Sequence, residues 1–397
     1  MSFLRRAKPG AITFIHGRIG GAGGEAAASL RIAGGKVAAL DCRPEPGDVV
    51  VDLHGDAVLP GLINAHDHLE LNNFPRLKWR SQYQNAGEWI AEFQPRFKTD
   101  PVLVAAMAAP LADRLLLGGI KNLLSGATTV CHHNPYYSRM RACCPVRVVR
   151  RYGHSHSLLV DGSKAALSFR KTSADRPWII HAAEGIDEAA SAEFDELDRL
   201  GCIGHNTVLV HGIGLTGAQQ EILLAKGAGL VWCPSSNDFL FGSALDISRL
   251  ARARRIAIGT DSRLSGGRDL LQEIGFAARR HGLSAPDLMR MVTADAAALF
   301  RLADAGSLNP GVPADLVVLP GGGLLPADGL LTADRSRIRL VMLGGRAQVG
   351  DPDMAPLFAA SGAEYVEGSL DGRSKLLAKR LAERLRKSSV QEPGLVP

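Results

Sequence analysis

Residues 61–73, GLINAHDHLELNN, place two histidines around one aspartate directly after an apolar run. The spacing of His66 and His68 directs both imidazoles to the same side of an extended strand. Neutral imidazole is a good ligand for a borderline cation such as Zn²⁺. The pair alone also fits a second interpretation, in which two polar residues end a buried strand.

Residues of the same kind end three later apolar runs. His181 ends RPWIIH, His211 ends TVLVH, and Asp261 follows RIAIGT. Three imidazoles and one carboxylate would leave a coordination position for water, which catalytic metal sites require. Core histidines would have to recur at one strand end after another to give this pattern, so we interpret the set as one metal site.

The elements that must position these residues follow a repeating pattern. Between residues 60 and 305, seven apolar runs alternate with helical segments, which is typical of parallel βα units. We expect a further strand within 102–120, which would complete an eight-stranded barrel with catalytic groups at the carboxyl ends of its strands. The predicted class is α/β, with 60–305 as the barrel and 1–59 plus 306–360 as one small β domain. Residues 361–397 are predicted to form a helical tail.

The composition of the chain limits the classes of partner and cellular compartment that fit it. The 397 residues include 46 basic and 40 acidic side chains, a surplus too small to indicate a nucleic-acid partner. Six cysteines without a CxxC pair favour reduced thiols in a cytoplasm. The sequence shows neither a signal-peptide apolar region nor a membrane-length apolar run.

Residues 372–389 are predicted to form a solvated helix with an apolar stripe that docks on the rest of the protein. A contact with a membrane or with RNA is the alternative. The stripe consists of Leu376, Leu377, Leu381 and Leu385.

Several motifs resemble the amidohydrolase superfamily. VLPGLINAHDHL resembles its strand-1 signature, and IIHAAEG resembles the strand-5 HxxE of its mononuclear aminohydrolase branch. That branch includes adenosine-analogue, guanine, cytosine and triazine deaminases and chlorohydrolases. LVHGIGLT, CPSSNDFLFG and IGTDSRLSGG are similar to strands 6, 7 and 8, and the resemblance covers residues 10–350 in order. It implies a (β/α)₈ barrel with a β-sandwich built from both chain ends.

The resemblance also implies roles for single residues. The positions that match metal ligands are His66, His68, His181 and Asp261. His211 matches a histidine that contacts the attacking water or the substrate, Glu184 matches the acid/base, and Asp261 can also accept a proton. The end of strand 4 carries no lysine, which favours one metal ion, Zn²⁺ by default, with Fe²⁺ or Mn²⁺ as alternatives.

The predicted reaction is hydrolytic deamination of a small-molecule, amino-substituted N-heterocycle such as a nucleobase, pterin or triazine. Hydrolysis of a cyclic amide or a C–Cl bond at the same metal is the first alternative. A non-catalytic scaffold on a hydrolase fold is the second. Members of this family often pair, so a homodimer stays open.

The substrate-binding residues are predicted less directly. Arg263 either binds a carboxylate or phosphate of the substrate or forms a structural ion pair. Trp79, on the loop after strand 1, either stacks on a flat heterocycle or packs that loop. Glu70 resembles a family position near the substrate. His133, at the end of strand 3, either lines the pocket or is a hydrogen-bonded histidine away from the substrate. The roles of three further histidines are left open: His132, His154 and His156. Asp67 is expected to point into the barrel wall and is given no chemistry.

Overall fold

The computed structural model describes residues 10–21, 27–321 and 326–397, and within them the fold is mixed α/β. Short strands form the N-terminal part: β1 (Ile12–Ile15), β2 (Arg18–Ile19), β3 (Leu30–Ala33), β4 (Lys36–Leu40), β5 (Val49–Asp52) and β6 (Ala57–Pro60). Four of these make one sheet in the order β4-β3-β1-β5. In β3 the buried Leu30 and Ile32 alternate with Arg31, whose guanidinium pairs with Asp48, as expected for a sheet with one covered face.

Strands and helices alternate through the middle of the chain. They are β7 (Leu62–Asp67), α1 (Ala86–Arg96), α2 (Pro101–Ala108), α3 (Leu111–Leu124), β8 (Ala127–His132), α4 (Met140–Cys143), β9 (Arg147–Val148), β10 (Gly153–His154), α5 (Leu158–Asp161), α6 (Lys164–Lys171), β11 (Trp178–Ala182), α7 (Glu188–Arg199), β12 (Thr207–His211), α8 (Gly217–Ala225), β13 (Gly229–Trp232), α9 (Pro234–Phe241), α10 (Ser248–Arg252) and β14 (Ile256–Ile258).

The remaining elements follow the last of these strands. They are α11 (Leu270–His281), α12 (Ala285–Met291), α13 (Ala294–Phe300), β15 (Leu316–Leu319), α14 (Asp328–Leu331), β16 (Leu340–Leu343), β17 (Arg346–Gly350), α15 (Ala355–Ala360), β18 (Tyr365–Leu370), β19 (Arg373–Ala378), α16 (Lys379–Lys387) and β20 (Leu395–Val396).

The strands of the middle segment are parallel and lie in two sheets, β7-β8-β9 and β10-β11-β12-β13-β14. Every residue of β11 and β12 is buried, which matches the continuous apolar runs of parallel strands covered on both faces. The backbone N–H groups of Thr260 and Asp261, just after β14, donate to the carbonyl of His66 on β7 at 3.0 and 3.1 Å. The carboxyl ends of the first and last parallel strands therefore lie side by side.

The strand expected within 102–120 is wrong, because these residues belong to α2 and α3. The side chain of Asp100 caps the N-terminus of α2, and Pro101 is the first residue of that helix. Helix α3 buries Leu116, Ile120 and Leu123, which are three or four residues apart. The segment 146–154 contains two separate strands, of which β9 pairs with β8 and β10 pairs with β11. Within the described ranges no single helix could span a membrane, and only α2 and α3 together, bent by 95°, match a span in length and composition.

Both ends of the chain contribute to one eight-stranded sheet, in the order β2-β6-β15-β16-β17-β19-β18-β20. The N-terminal and C-terminal strands of this sheet are joined by the antiparallel pairing of β6 with β15, in which Val58 lies opposite Val318. The predicted helical tail is partly wrong, because Leu376 and Leu377 lie in β19 and only 379–387 are α-helical. Asp371 and Gly372 have φ angles of +47° and +81°, so they form the tight turn of the β18–β19 hairpin.

Candidate metal centre

Four predicted metal ligands meet where the parallel strands end. His66 and His68 lie at the end of β7, His181 lies in β11, and Asp261 follows β14. The Nε2 atoms of His66 and His181 are 3.3 Å apart. Oδ1 of Asp261 is 3.8 Å from Nε2 of His66 and 3.8 Å from Nε2 of His68. These distances bring all four side chains to one point, since parallel strands align their carboxyl ends.

Hydrogen bonds fix how the ligands present their free atoms. Nδ1 of His181 donates to the carbonyl of His156 at 2.8 Å, which leaves the lone pair of Nε2 for a cation. Oδ2 of Asp261 accepts hydrogen bonds from the hydroxyls of Ser236 and Ser265 at 3.0 and 2.7 Å. Its Oδ1 accepts from the backbone N–H of Ser262 at 2.7 Å and faces His66 and His68.

The buried histidines form a donor set that fits a divalent metal ion. Burial, followed by the neighbouring imidazoles, lowers the pKa of His66 and His181 well below the usual value, so both rings are neutral. Neutral imidazole is the form that binds metal. Nδ1 of His66 and Nδ1 of His68 are buried and lack a hydrogen-bond partner among the described residues. Burial opposes ionisation of Asp261, but His68, His211 and hydrogen bonds outweigh it and lower the pKa of this carboxyl.

Glu184 and His211 lie together beside this centre. Oε1 of Glu184 is 3.5 Å from Nε2 of His211, whose Nδ1 is hydrogen-bonded to Oδ1 of Asn237 at 2.9 Å. Burial raises the pKa of Glu184 to about 7. A carboxyl with that pKa can both take up and release a proton near neutral pH, as general acid–base catalysis requires.

Three residues at the strand ends have left-handed backbone angles. Ala183, His211 and Asp261 have φ of +50°, +71° and +54°. This region is uncommon for residues other than glycine and is enriched at functional sites. The backbone here is thus bent to aim side chains at the centre.

Two of the predicted substrate-binding residues are engaged elsewhere. The guanidinium of Arg263 forms a bidentate pair with the buried Glu392, with N–O distances of 2.9 and 2.7 Å. Trp79 packs in an apolar cluster with Phe93, and the guanidinium of Arg96 lies 4.3 Å from its ring. The structure therefore favours the ion-pair alternative for Arg263 and the loop-packing alternative for Trp79.

The other two lie close to the histidines. The ring of His133 stacks on His181 with centroids 4.1 Å apart, and its Nε2 is 2.9 Å from the carbonyl of Ser155. His133 also belongs, with His66 and His181, to one of the groups whose ligand atoms lie within 4.8 Å of one another. Glu70 is buried, accepts from Nδ2 of Asn134 at 2.6 Å, and lies 3.7 Å from Nδ1 of His132.

Sequence reasoning missed a buried lysine under the centre. Nζ of Lys121, on α3, donates to the backbone carbonyl of Asp261 at 2.9 Å and to Oδ1 of Asn72 at 2.8 Å. It also lies 3.2 Å from Oδ2 of Asp67, the residue that was expected only to face the barrel wall. The one signal for this contact is a lysine within the apolar stretch LLLGGIKNLL. Cys233, which groups with His66 and His211, was also not singled out.

Comparisons with known proteins agree with this arrangement. The profile described as Amidohydrolase family matches residues 161–347. A 5-methylthioadenosine/S-adenosylhomocysteine deaminase of Desulfitobacterium hafniense is 25% identical over 355 residues, covering 75% of this chain and 82% of the relative. A 5'-deoxyadenosine deaminase of Methanothermobacter thermautotrophicus is 25% identical over 365 residues, with the same shares covered.

Solved structures share the fold. A triazine hydrolase from Arthobacter aurescens superposes with a TM-score of 0.70 at 17% identity, covering 89% of this chain and 98% of that one. A zinc-bound adenosine deaminase from Xanthomonas campestris superposes with a TM-score of 0.65 at 18% identity, covering 95% and 98%. The profile match and the curated relatives show that the chain is similar to the amidohydrolase family and to its deaminases, and the solved structures show that it shares their fold.

Proposed function

We propose that the chain is a metal-dependent hydrolase that removes an amino group from an amino-substituted N-heterocycle. The observation that carries this proposal is the position of Glu184 beside His211 and the cluster of His66, His181 and Asp261. The names of the curated relatives support it, since they are deaminases of adenosine derivatives. Hydrolysis of a carbon–nitrogen bond outside peptides is the reaction class.

The site would hold one divalent cation, which we propose to be Zn²⁺, through His66, His68, His181 and Asp261. A cation held there would supply the Lewis acidity that makes water nucleophilic at neutral pH. The donor set of neutral imidazoles and a carboxylate suits Zn²⁺. Fe²⁺ and Mn²⁺ accept the same ligands, so metal analysis must decide among them.

The residues of the chain then move protons while water adds to the carbon and the C–N bond breaks. Asp261 accepts a proton from the attacking water. Glu184, with a pKa of about 7, starts protonated and passes its proton to the ring nitrogen. It then takes up the remaining proton of the former water, from the hydroxyl on the attacked carbon, and passes it to the departing amine. The amine leaves as ammonia only when protonated, so this second transfer completes the reaction. The proton held by Asp261 then returns to Glu184 and restores both carboxyl groups. His211, whose ring is oriented by Asn237, would contact the attacking water or the substrate.

The finer architecture is part of the same proposal. We propose that the parallel strands between 60 and 305 close into a barrel, supported by the backbone hydrogen bonds from Thr260 and Asp261 to His66. The described residues of 1–59 and 306–360 are proposed to form a composite β-sandwich, which the hairpin and helix of 361–397 extend, while 1–9, 22–26 and 322–325 lie outside the described residues. A cytoplasmic location remains a prediction, supported by six cysteines that form no disulfide.

Metal analysis and an ammonia assay test the proposal together. We expect the purified protein to carry about one equivalent of divalent metal and to release ammonia from an aminopurine, pterin, aminopyrimidine or aminotriazine. His66→Asn and His181→Asn should lose both metal and activity, whereas His54→Asn, at an exposed histidine outside the site, should lose neither.

Two outcomes would contradict the proposal. Ring opening of lactams or hydantoins, or chloride release, without ammonia from any amino-heterocycle would assign the alternative reaction at the same site. A purified protein without near-stoichiometric metal, and inactive on every substrate class, would indicate a non-catalytic scaffold.

A further inference from the structure

A small cavity opens beside Glu184 and His181. Its volume is about 150 Å³, and its walls include His156, Ile90 and Glu193. A cavity of about 150 Å³ is large enough for one benzene-sized ring, whereas pockets for drug-sized ligands measure roughly 300–1,000 Å³. The space next to the proposed proton shuttle therefore fits a single ring, and a ring with an attached sugar would exceed its volume.

The wall over this cavity is hydrogen-bonded to the segment that carries Glu184. The backbone N–H of Ala86 donates to the carbonyl of Glu184 at 2.8 Å, and that of Ile186 donates to the carbonyl of Gln84 at 2.7 Å. Nδ2 of Asn85 donates to Oδ2 of Asp187 at 2.6 Å. These bonds hold the start of α1 against the segment that carries Glu184, so backbone contacts fix the position of this wall.

Gly185 permits this close approach. A Cβ added at Gly185 would lie 2.6 Å from the carbonyl oxygen of Gln84 and 2.6 Å from Cβ of Asn85. Only glycine therefore allows the two segments to approach as closely as they do. The distance between the two segments is therefore set by their backbones, and side chains such as Ile90 complete the wall.

The charges around the cavity are acidic. Glu184 and Glu193 line it, and the carboxylates of Asp161 and Asp187 bond to the backbone of His156 and Ala190 on its wall. Among the described residues, no lysine or arginine lines it. A carboxylate or phosphate on the substrate would therefore lie against these carboxyl groups, with no basic side chain in the described wall to pair with it.

We propose that the site takes a single-ring amino-heterocycle without an anionic group and excludes nucleosides. This inference rests on the proposed deaminase function and narrows it, because the curated relatives are named for nucleoside substrates. The N–H groups of an aminopyrimidine or aminotriazine would face Glu184 and Glu193, whose carboxylates accept hydrogen bonds.

Matched substrate pairs test the inference in an ammonia assay. Cytosine and melamine represent single rings, cytidine adds a ribose, adenosine adds a second ring and a ribose, and 5-carboxycytosine adds a negative charge. We expect kcat/KM for the better single-ring substrate to exceed that for either nucleoside by at least about 100-fold. The carboxylated base should be slower than cytosine by about tenfold or more.

Two variants connect these ratios to the cavity. Ile90→Ala removes part of the wall and should raise kcat/KM for cytidine relative to cytosine by about tenfold, whereas Ile222→Ala, at an exposed isoleucine on α8, should leave the ratio unchanged. Glu193→Gln removes one negative charge and should reduce the loss in kcat/KM for 5-carboxycytosine relative to cytosine.

Equal rates for cytosine and cytidine, or a faster nucleoside, would overturn the size limit while leaving the deaminase function intact. Failure to release ammonia from every compound would instead overturn the proposed function itself, and the inference with it.

Discussion

A single hydrogen bond decides which nitrogen of His181 faces the metal centre. Because a backbone carbonyl can only accept, the bond to the carbonyl of His156 places the proton on Nδ1 and leaves Nε2 with its lone pair. Asn237 is bonded to Nδ1 of His211 in a similar position. The backbone carbonyl of His156 thus helps to orient His181.

Glu184→Gln tests the proton shuttle. The amide keeps the size of the side chain but cannot move a proton, so kcat should fall by about 10²- to 10⁴-fold with metal content unchanged. Steady-state kinetics and metal analysis provide the two readouts. Glu188→Gln, at an exposed carboxylate at the start of α7, is the matched control. Activity close to that of the unmodified protein in Glu184→Gln would remove this residue from the mechanism.

Helix α3 reaches the metal centre through Lys121. Its ammonium group joins the carbonyl of Asp261, the hydroxyl of Thr260 and the amide oxygen of Asn72, so that the ends of β7 and β14 are held by one cation. Asp67 lies 3.2 Å away and supplies the opposite charge. The helix thereby supports the left-handed backbone of Asp261 as well as covering the strands.

Lys121→Met should leave Asp67 as a buried, uncompensated charge. We expect the free energy of unfolding to fall by about 3–5 kcal/mol, because removing one partner of a buried ion pair costs that much. Chemical denaturation measures this loss, and metal titration should show weaker binding, since the backbone of Asp261 loses its donor.

Two further variants separate charge from packing. Adding Asp67→Asn to Lys121→Met should restore part of the stability, since the orphaned charge is gone. Lys164→Met, at an exposed position, should change stability little. If the double variant were as unstable as Lys121→Met, the loss would come from packing rather than from the buried pair.

At the scale of the whole molecule, the side chain of Glu392, near the end of the sequence, connects the eight-stranded sheet to the candidate metal centre. Glu392 is buried between Arg263, two residues after Asp261, and the buried Arg335. Arg335 also pairs with Asp371 in the turn of the β18–β19 hairpin. Residues far apart in sequence thus form one network of alternating charges.

Glu392→Gln should weaken this network from its centre. The buried guanidinium of Arg335 would lose part of its compensation, so we expect a stability loss of a few kcal/mol and a lower kcat as Arg263 becomes free to move. Thermal unfolding and kinetics measure the two effects. Glu367→Gln, at an exposed glutamate in β18, is the control. Unchanged melting and activity in Glu392→Gln would show that the network stabilises neither part.

What the sequence could predict depends on how local each signal is. The strands that end in His181 and His211 were visible because apolar runs and their terminal residues are neighbours in the chain. The pairing of Arg263 with Glu392 joins residues 129 positions apart, and no local pattern marks it. The contact of Lys121 with Asp261 spans 140 positions and is hidden for the same reason.

Two errors have different causes. The expected strand within 102–120 came from counting eight barrel strands, whereas the local pattern of α3 was helical, with apolar residues three and four apart. The hairpin of the C-terminal tail did have a local signal, because Asp371-Gly372 is a strong turn dipeptide. The apolar spacing of the leucines that follow it favoured a helix and obscured that turn.

The pairing of β6 with β15 has a consequence for how the chain folds during synthesis. Val58 pairs with Val318, which is synthesised 260 residues later. The eight-stranded sheet therefore cannot form completely until most of the chain has left the ribosome. Contacts between residues so far apart in the sequence slow folding. Until they form, the exposed edges of the apolar strands can pair with other chains and aggregate. Lower growth temperature or added chaperone capacity should therefore raise the yield of native protein.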